Sequence, residues 1–316
     1  MKNQRVKALS IGRPVFDVMK REHQAGRVLA SYHRACNLVT TEGEIIALVG
    51  PAVGNGPLNI VIEDIRVLER VRPGLPTVFS DDQLVLDDSL VVSLDGAQLW
   101  GPEVNWGCLP TQRRRLEDNL AALCSWLSQN DVADGLLGLV LNEEKEPGAR
   151  ADGTCSPHDR AFLAMARMGI KGLMQALQDG DRSSIGGSAA LLAGLGPGLT
   201  PAGDDYLVGL MAGLRVWPGL CQVSSEEACR IILGAAEGRT TLLSRAFLRS
   251  AKEGLFGENW HELLAELAGG EAIRIRRAVR RILSTGATSG ADALAGFLSL
   301  YLWQQRLASR KAQKVL

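Results

Sequence analysis

The stretch RRRLEDNLAALCSWL at residues 113–127 decides the fold, because Leu116, Leu120, Leu123, Cys124 and Leu127 recur at three- and four-residue steps and share one helical face. N-terminal to it the period is different. Between 28 and 110 the apolar runs are short, at 44–49, 58–65, 77–79, 83–86 and 90–94, and Gly, Pro, Asn and Asp separate them. Short strands at this spacing build a small barrel or sandwich. Beyond 113 the helical period recurs at 158–178, 184–193, 201–217, 225–236, 240–253, 258–268, 271–284 and 290–308. The sequence therefore predicts an α+β chain, with a small β-barrel or sandwich-like domain over 1–112 and an all-α helical domain over 113–316.

Punctuation supports these helices. Ser224 with Glu227 has the spacing of a capping box, Thr200-Pro201 reads as an N-cap followed by the first helical position, and Gly180, Gly254 and Gly286 read as stops. Residues 142–157, rich in charge, Gly and Pro, read as an exposed connection.

Composition narrows the function classes. Lys plus Arg and Asp plus Glu are both 35 in 316 residues, so no net positive field is available to hold a nucleic acid, and a small substrate or a protein partner is expected. The 6 cysteines form no CxxC pair and read as reduced, buried thiols. No apolar h-region follows the charged N-terminus, and the longest apolar run, 206–217, is interrupted by Arg215. A cytoplasmic protein with no membrane contact is the expectation.

The chemistry concentrates in GLGPGLTPAGDD at 194–205. Gly194, Gly196 and Gly198 alternate before the start of a helix, where free N–H groups and the positive end of the macrodipole make a seat for phosphate or carboxylate. Asp204 and Asp205 follow in the first turn. They serve either to stabilise the helix end or to hold a divalent cation, with Mg²⁺ as the candidate, beside an anion. No GxxxxGK[ST] is present and GxGxxG fails in register, so neither ATP nor NAD is indicated. A tight interhelical turn is the plainer reading. Against it stands an echo at 286–292, GATSGAD, which repeats G-x-T-x-x-x-D before a second apolar helix. If the two helix starts face each other, Gly196, Gly198 and Thr200 on one side and Thr288, Ser289 and Gly290 on the other line one polar pocket. Asp204, Asp205 and Asp292 are then the candidate catalytic residues, orienting a substrate amide or a metal ion.

Read together, these two loops resemble the AllH-type family, a subunit of oxamate carbamoyltransferase in anaerobic allantoin breakdown. Gly196-Pro-Gly-Leu-Thr-Pro201, Asp204-Asp205 and Gly286-x-Thr-Ser-Gly-Ala-Asp292 carry the likeness, with weaker support from Arg34-Ala-Cys-Asn-Leu38 and Gly54-Asn-Gly-Pro57. The resemblance implies transfer of a carbamoyl group between phosphate and the amide nitrogen of oxamate, in a complex with other subunits. The ligands would be small anions such as carbamoyl phosphate and oxamate, consistent with anion seats. The SxRT phosphate loop of ordinary carbamoyltransferases is absent. Its nearest cationic counterpart is Arg239-Thr240, with Arg239 read either as an anion clamp or as an exposed helix-start arginine. Asn37 and Asn55 of the N-terminal half read as hairpin chemistry or as amides presented to the pocket.

Other signals are weaker. His261-Glu262 lacks the second His of HExxH, Cys155 and His158 stand as an isolated pair, and there is no GxSxG elbow. Arginines 274, 276, 277, 280 and 281 alternate with apolar residues and mark a helix with one solvated face. Two rival functions stay open: a non-catalytic carboxylate-binding or scaffolding subunit, and a Mg²⁺- or Mn²⁺-assisted amide or phosphate hydrolase.

Overall fold

Alternation of apolar and polar side chains through the first hundred residues closes a sheet on itself. In the computed structural model, which describes residues 4–21, 24–87, 89–101, 106, 112–130, 135–142 and 156–313, the chain divides into two units. The first is Met1–Glu103 with Leu255–His261, and the second is Val104–Gly254 with Glu262–Leu316.

The first unit holds β1 (Gln4–Gly12), α1 (Arg13–Met19), β2 (Gln24–Ser31), β3 (Ala35–Thr40), β4 (Ile45–Val49), β5 (Asn59–Ile62), a 3-10 turn (Ile65–Arg70), β6 (Pro76–Phe79), β7 (Gln83–Leu86), β8 (Leu90–Ser93) and β9 (Gln98–Trp100). The strand order is β5-β4-β3-β2-β6-β7-β8-β1, and β1 pairs β5 to close an eight-stranded barrel, with β9 added along the end of β1. Closure pairs each of these eight strands on both sides, while β9 pairs with β1 alone among the described residues. β1 achieves it by length: Gln4–Lys7 pair β8 in parallel, while Ala8, Ser10 and Ile11 pair β5 antiparallel across a bulge. Leu38, Ile46, Leu48, Ile60, Ile62, Phe79, Leu84, Leu86 and Val92 point inward and are buried. This period-2 filling is what makes a small barrel a core rather than a pore.

The expected strands near 44, 77, 83 and 90 are present, while β1, β2, β3 and β9 were missed. The run expected at 58–65 ends as a strand at Ile62, and Asp64 caps the 3-10 turn that follows. The hairpin reading of 54–57 is corrected as well. β4 and β5 pair in parallel, so the segment between them is a crossover and not a hairpin turn.

The second unit is helical: α2 (Arg113–Gln129), α3 (Gly135–Leu141), α4 (Pro157–Asp179), α5 (Arg182–Leu192), α6 (Ala202–Val216), α7 (Ser225–Ala236), α8 (Leu242–Lys252), the body of α9 (Glu258–Gly269), α10 (Ala272–Leu283) and α11 (Ser289–Gln313). Most of the connection expected at 142–157 lies outside the described residues. α6 and α11 form its centre, packed so closely that at their glycines one backbone meets the other with no room for a side chain. A Cβ on Gly209 would stand 1.7 Å from the Ala293 carbonyl oxygen, and one on Gly296 would stand 1.9 Å from that of Tyr206. Small residues let two backbones approach to this distance. Gly209 faces Ala293 and Gly213 faces Phe297, so the two helices run in the same direction. Among the described residues no helix is long and apolar enough to cross a membrane.

Candidate functional site

Two parallel helices necessarily bring their N-termini to the same end, and with them two positive dipole ends. At that end the Thr200 and Ser289 hydroxyls are 3.0 Å apart, so the two glycine-containing loops meet. The contact corrects one expectation. α6 begins at Ala202 with Pro201 as its N-cap, and Thr200 makes no capping bond and instead faces Ser289.

The loop between α5 and α6 is held by Asp204. Its Oδ1 accepts from the Gly194 N–H at 2.8 Å and its Oδ2 from the Thr240 hydroxyl, and Ser244 adds a further hydrogen bond. Thr241, the N-cap of α8, donates to the Leu199 carbonyl at 2.5 Å. Asp204 and the Thr240–Ser244 segment thus clamp the loop. Gly194, Gly196 and Gly198 have φ of 73°, 115° and 96°, conformations that disfavour any L side chain. The N–H groups of Gly196, Gly198, Leu199 and Thr200 have no acceptor among the described residues, so this loop leaves donors available.

The three aspartates are differently occupied. Asp204 is 1% exposed and engaged on both oxygens. Asp292 is fully buried, and its Oδ1 accepts from the Leu136 N–H at 2.7 Å, the first turn of α3, where Gly135 leaves room for the carboxylate. The Asp205 Oδ2 is buried without a hydrogen-bond partner among the described residues. Burial, and then the neighbouring charges of Asp292 and Asp204, raise its pKa to about 8, although the Ser289 and Thr200 hydroxyls beside it offset part of that rise. Burial also raises the pKa of Asp204, and there the Thr240, Gly194 and Ser244 hydrogen bonds oppose it.

The remaining predicted residues have other placements. The Gly290 N–H donates to the Thr285 carbonyl at 3.0 Å, and a Cβ there would stand 1.9 Å from the Ile282 oxygen, so this glycine allows close packing rather than offering a free donor. The Thr288 side chain is exposed, and its carbonyl accepts from the Asp292 N–H at 2.9 Å. Arg239 is exposed, and its backbone oxygen lies against Gly194. Asn37 is buried in β3 of the first unit. Asn55, also in that unit, accepts from the Ser10 hydroxyl at 2.5 Å and donates through its backbone and side-chain nitrogens to Glu258 at 2.9 and 3.1 Å. Thr241, Ser244 and Leu136 were not foreseen as site residues. The spacing of Thr241 before Ser244 carries an N-cap signal, whereas no local pattern links Leu136 to Asp292. Among the described residues no group of three or more His, Cys, Asp or Glu side chains is arranged to hold a metal ion.

Two family models match the chain. The model described as oxamate carbamoyltransferase subunit AllH covers residues 192–301, which span both loops, and the AllH family N-terminal domain covers 7–99, which span most of the barrel. No solved structure matches it.

Proposed function

The chain belongs to the AllH family, and from that premise we propose that it is a subunit of a carbamoyltransferase of the oxamate type, with its ligand site at the paired N-termini of α6 and α11. The observation that carries this reading is Asp205: a carboxylate whose Oδ2 is buried with no hydrogen-bond partner among the described residues, beside two hydroxyls and next to a loop whose backbone donors have no acceptor among those residues.

The reaction needs a proton acceptor and an anion seat more than a nucleophilic side chain. The amide nitrogen of oxamate attacks the carbamoyl carbon, the new C–N bond forms, and the bond from that carbon to the phosphate oxygen breaks. The amide proton passes to Asp205, and phosphate leaves with the electron pair, giving oxalurate. With its pKa raised to about 8, Asp205 is a stronger base than an ordinary aspartate, and the ionised fraction that can accept the proton grows as pH rises towards 8. The free N–H groups at Gly196, Gly198, Leu199 and Thr200 would hold the phosphate, with Arg239 as the nearby cation. Asp204 and Asp292 act as positioning residues, because their described hydrogen bonds fix the loop and the start of α3.

A second reading is favoured by the same carboxylates. Asp204 and Asp205 lie in the first turn of α6 and Asp292 in that of α11, where negative charge stabilises a helix end without any ligand. In that reading the chain scaffolds the complex. Purified complex carrying Asp205→Asn separates the two. Loss of carbamoyl-phosphate-dependent carbamoylation of oxamate with assembly intact supports catalysis, and unchanged turnover supports the scaffold. A ligand screen by thermal shift, with and without Mg²⁺, tests the metal-assisted alternative, because a ligand that binds the folded chain raises its apparent stability.

A further inference from the structure

We infer that the arginine face of α10, together with Trp126 of α2, docks an acidic protein surface on another subunit of the complex. The inference rests on the subunit reading above. α10 carries Arg274, Arg276, Arg277, Arg280 and Arg281 and no acidic residue, within a chain whose formal net charge is zero. Four pairs of these arginines are spaced i,i+3 or i,i+4, and like charges at that spacing destabilise a helix. A face that served only solvation would intersperse glutamates.

Neighbours neutralise only part of this charge. Arg274 approaches Glu266 at 3.9 Å and Arg281 pairs with Glu262, both on α9. Arg276 and Arg280 lie over the half-buried Trp126 ring, 5.7 and 5.5 Å from its centroid. Arg277 is exposed and has no ion pair among the described residues. Cation–π contact with Trp126 restrains these two guanidinium groups, which lowers the entropy lost when they fork onto carboxylates. Ile273, 66% exposed, stands one turn before Arg277. Arginine, tryptophan and an exposed aliphatic side chain together have the composition of a protein-interface hot spot. Nucleic acid is the lesser fit, because the neutral chain has no broad positive field to hold a polyanion.

The test uses the chain co-expressed and purified with the other subunits of its complex, comparing wild type, Arg277→Glu alone, the triple variant Arg276→Glu/Arg277→Glu/Arg280→Glu, and Asp205→Asn. The expected result is an apparent Kd for the partner subunits raised about tenfold or more in the triple variant, and less in the single one, with a flattened salt dependence. Asp205→Asn should assemble like wild type, which separates failure of this surface from failure of the catalytic reading. The single variant, exposed and unpaired, keeps the test valid if the triple variant misfolds. Three outcomes overturn the inference: wild-type affinity at low salt in a folded triple variant, a lost partner that proves to be nucleic acid, or a wild-type chain that assembles with no other subunit.

Discussion

At the scale of single residues, the three aspartates of the α6 and α11 N-termini have one chemistry and separate tasks. Asp204 binds its loop through both oxygens, and Asp204→Ala would leave the Gly194 N–H and the Thr240 hydroxyl without their acceptor. Urea titration should register a loss of about 2 kcal/mol. Asp205 has the opposite character. Its pKa is raised to about 8 in the fold against an ordinary value near ~4 in the unfolded chain, so between these limits the folded chain keeps a proton that the unfolded chain has released. Stability should therefore fall as pH rises from 4 towards 8. Asp205→Asn should flatten that slope and raise stability at pH 8 by about 1–3 kcal/mol, because a buried charge without a partner is removed. Asp204, shifted in the same direction, leaves a residual slope. Urea titrations at pH 5 and pH 8 decide the matter, and an Asp205→Asn variant less stable than wild type at pH 8 would contradict the assignment.

At the scale of elements, glycine sets the distance between helices. Gly209 lies where α6 meets the Ala293 carbonyl, and Gly209→Ala should cost about 3 kcal/mol or more, because the methyl group meets backbone rather than a side chain that can turn aside. Gly187 in α5 has nothing within 4 Å of the same added atom, so Gly187→Ala should stabilise the fold by about 0.5–1 kcal/mol. Denaturation of the two variants side by side checks the contrast. The change from period 2 to period 3.6 near residue 110 was legible in the sequence, because Leu116 through Leu127 stand on one face whatever surrounds them. Closure of the barrel was not. It depends on β1 pairing β8 and β5 on opposite sides, a non-local register that no window of sequence contains. The two loops were legible as chemically alike, since Gly, Thr and Asp recur at the same spacing. The surroundings of the three aspartates were not, because burial and hydrogen-bond partners come from α3, the segment leading into α8 and the packing of α6 on α11.

At the scale of the whole molecule, the barrel unit and the helical unit each have a core of their own, and the segment Leu255–His261 belongs with the barrel although helices flank it in sequence. Asn55 accounts for part of this, since its backbone and side-chain nitrogens both donate to Glu258. Asn55→Leu would remove the side-chain donor and keep the backbone one, leaving that carboxylate with one fewer donor, and proteolysis near 255–261 should then be faster than in wild type. Family membership covers both units, with one model, described as a carbamoyltransferase subunit, on 192–301 and the other on 7–99. The most direct test is the rate at which the reconstituted complex carbamoylates oxamate from carbamoyl phosphate, wild type against Asp205→Asn. A fall in kcat of about 100-fold or more with unchanged assembly is expected of a lost general base. Turnover within a few-fold of wild type in an equally assembled Asp205→Asn complex would contradict the account.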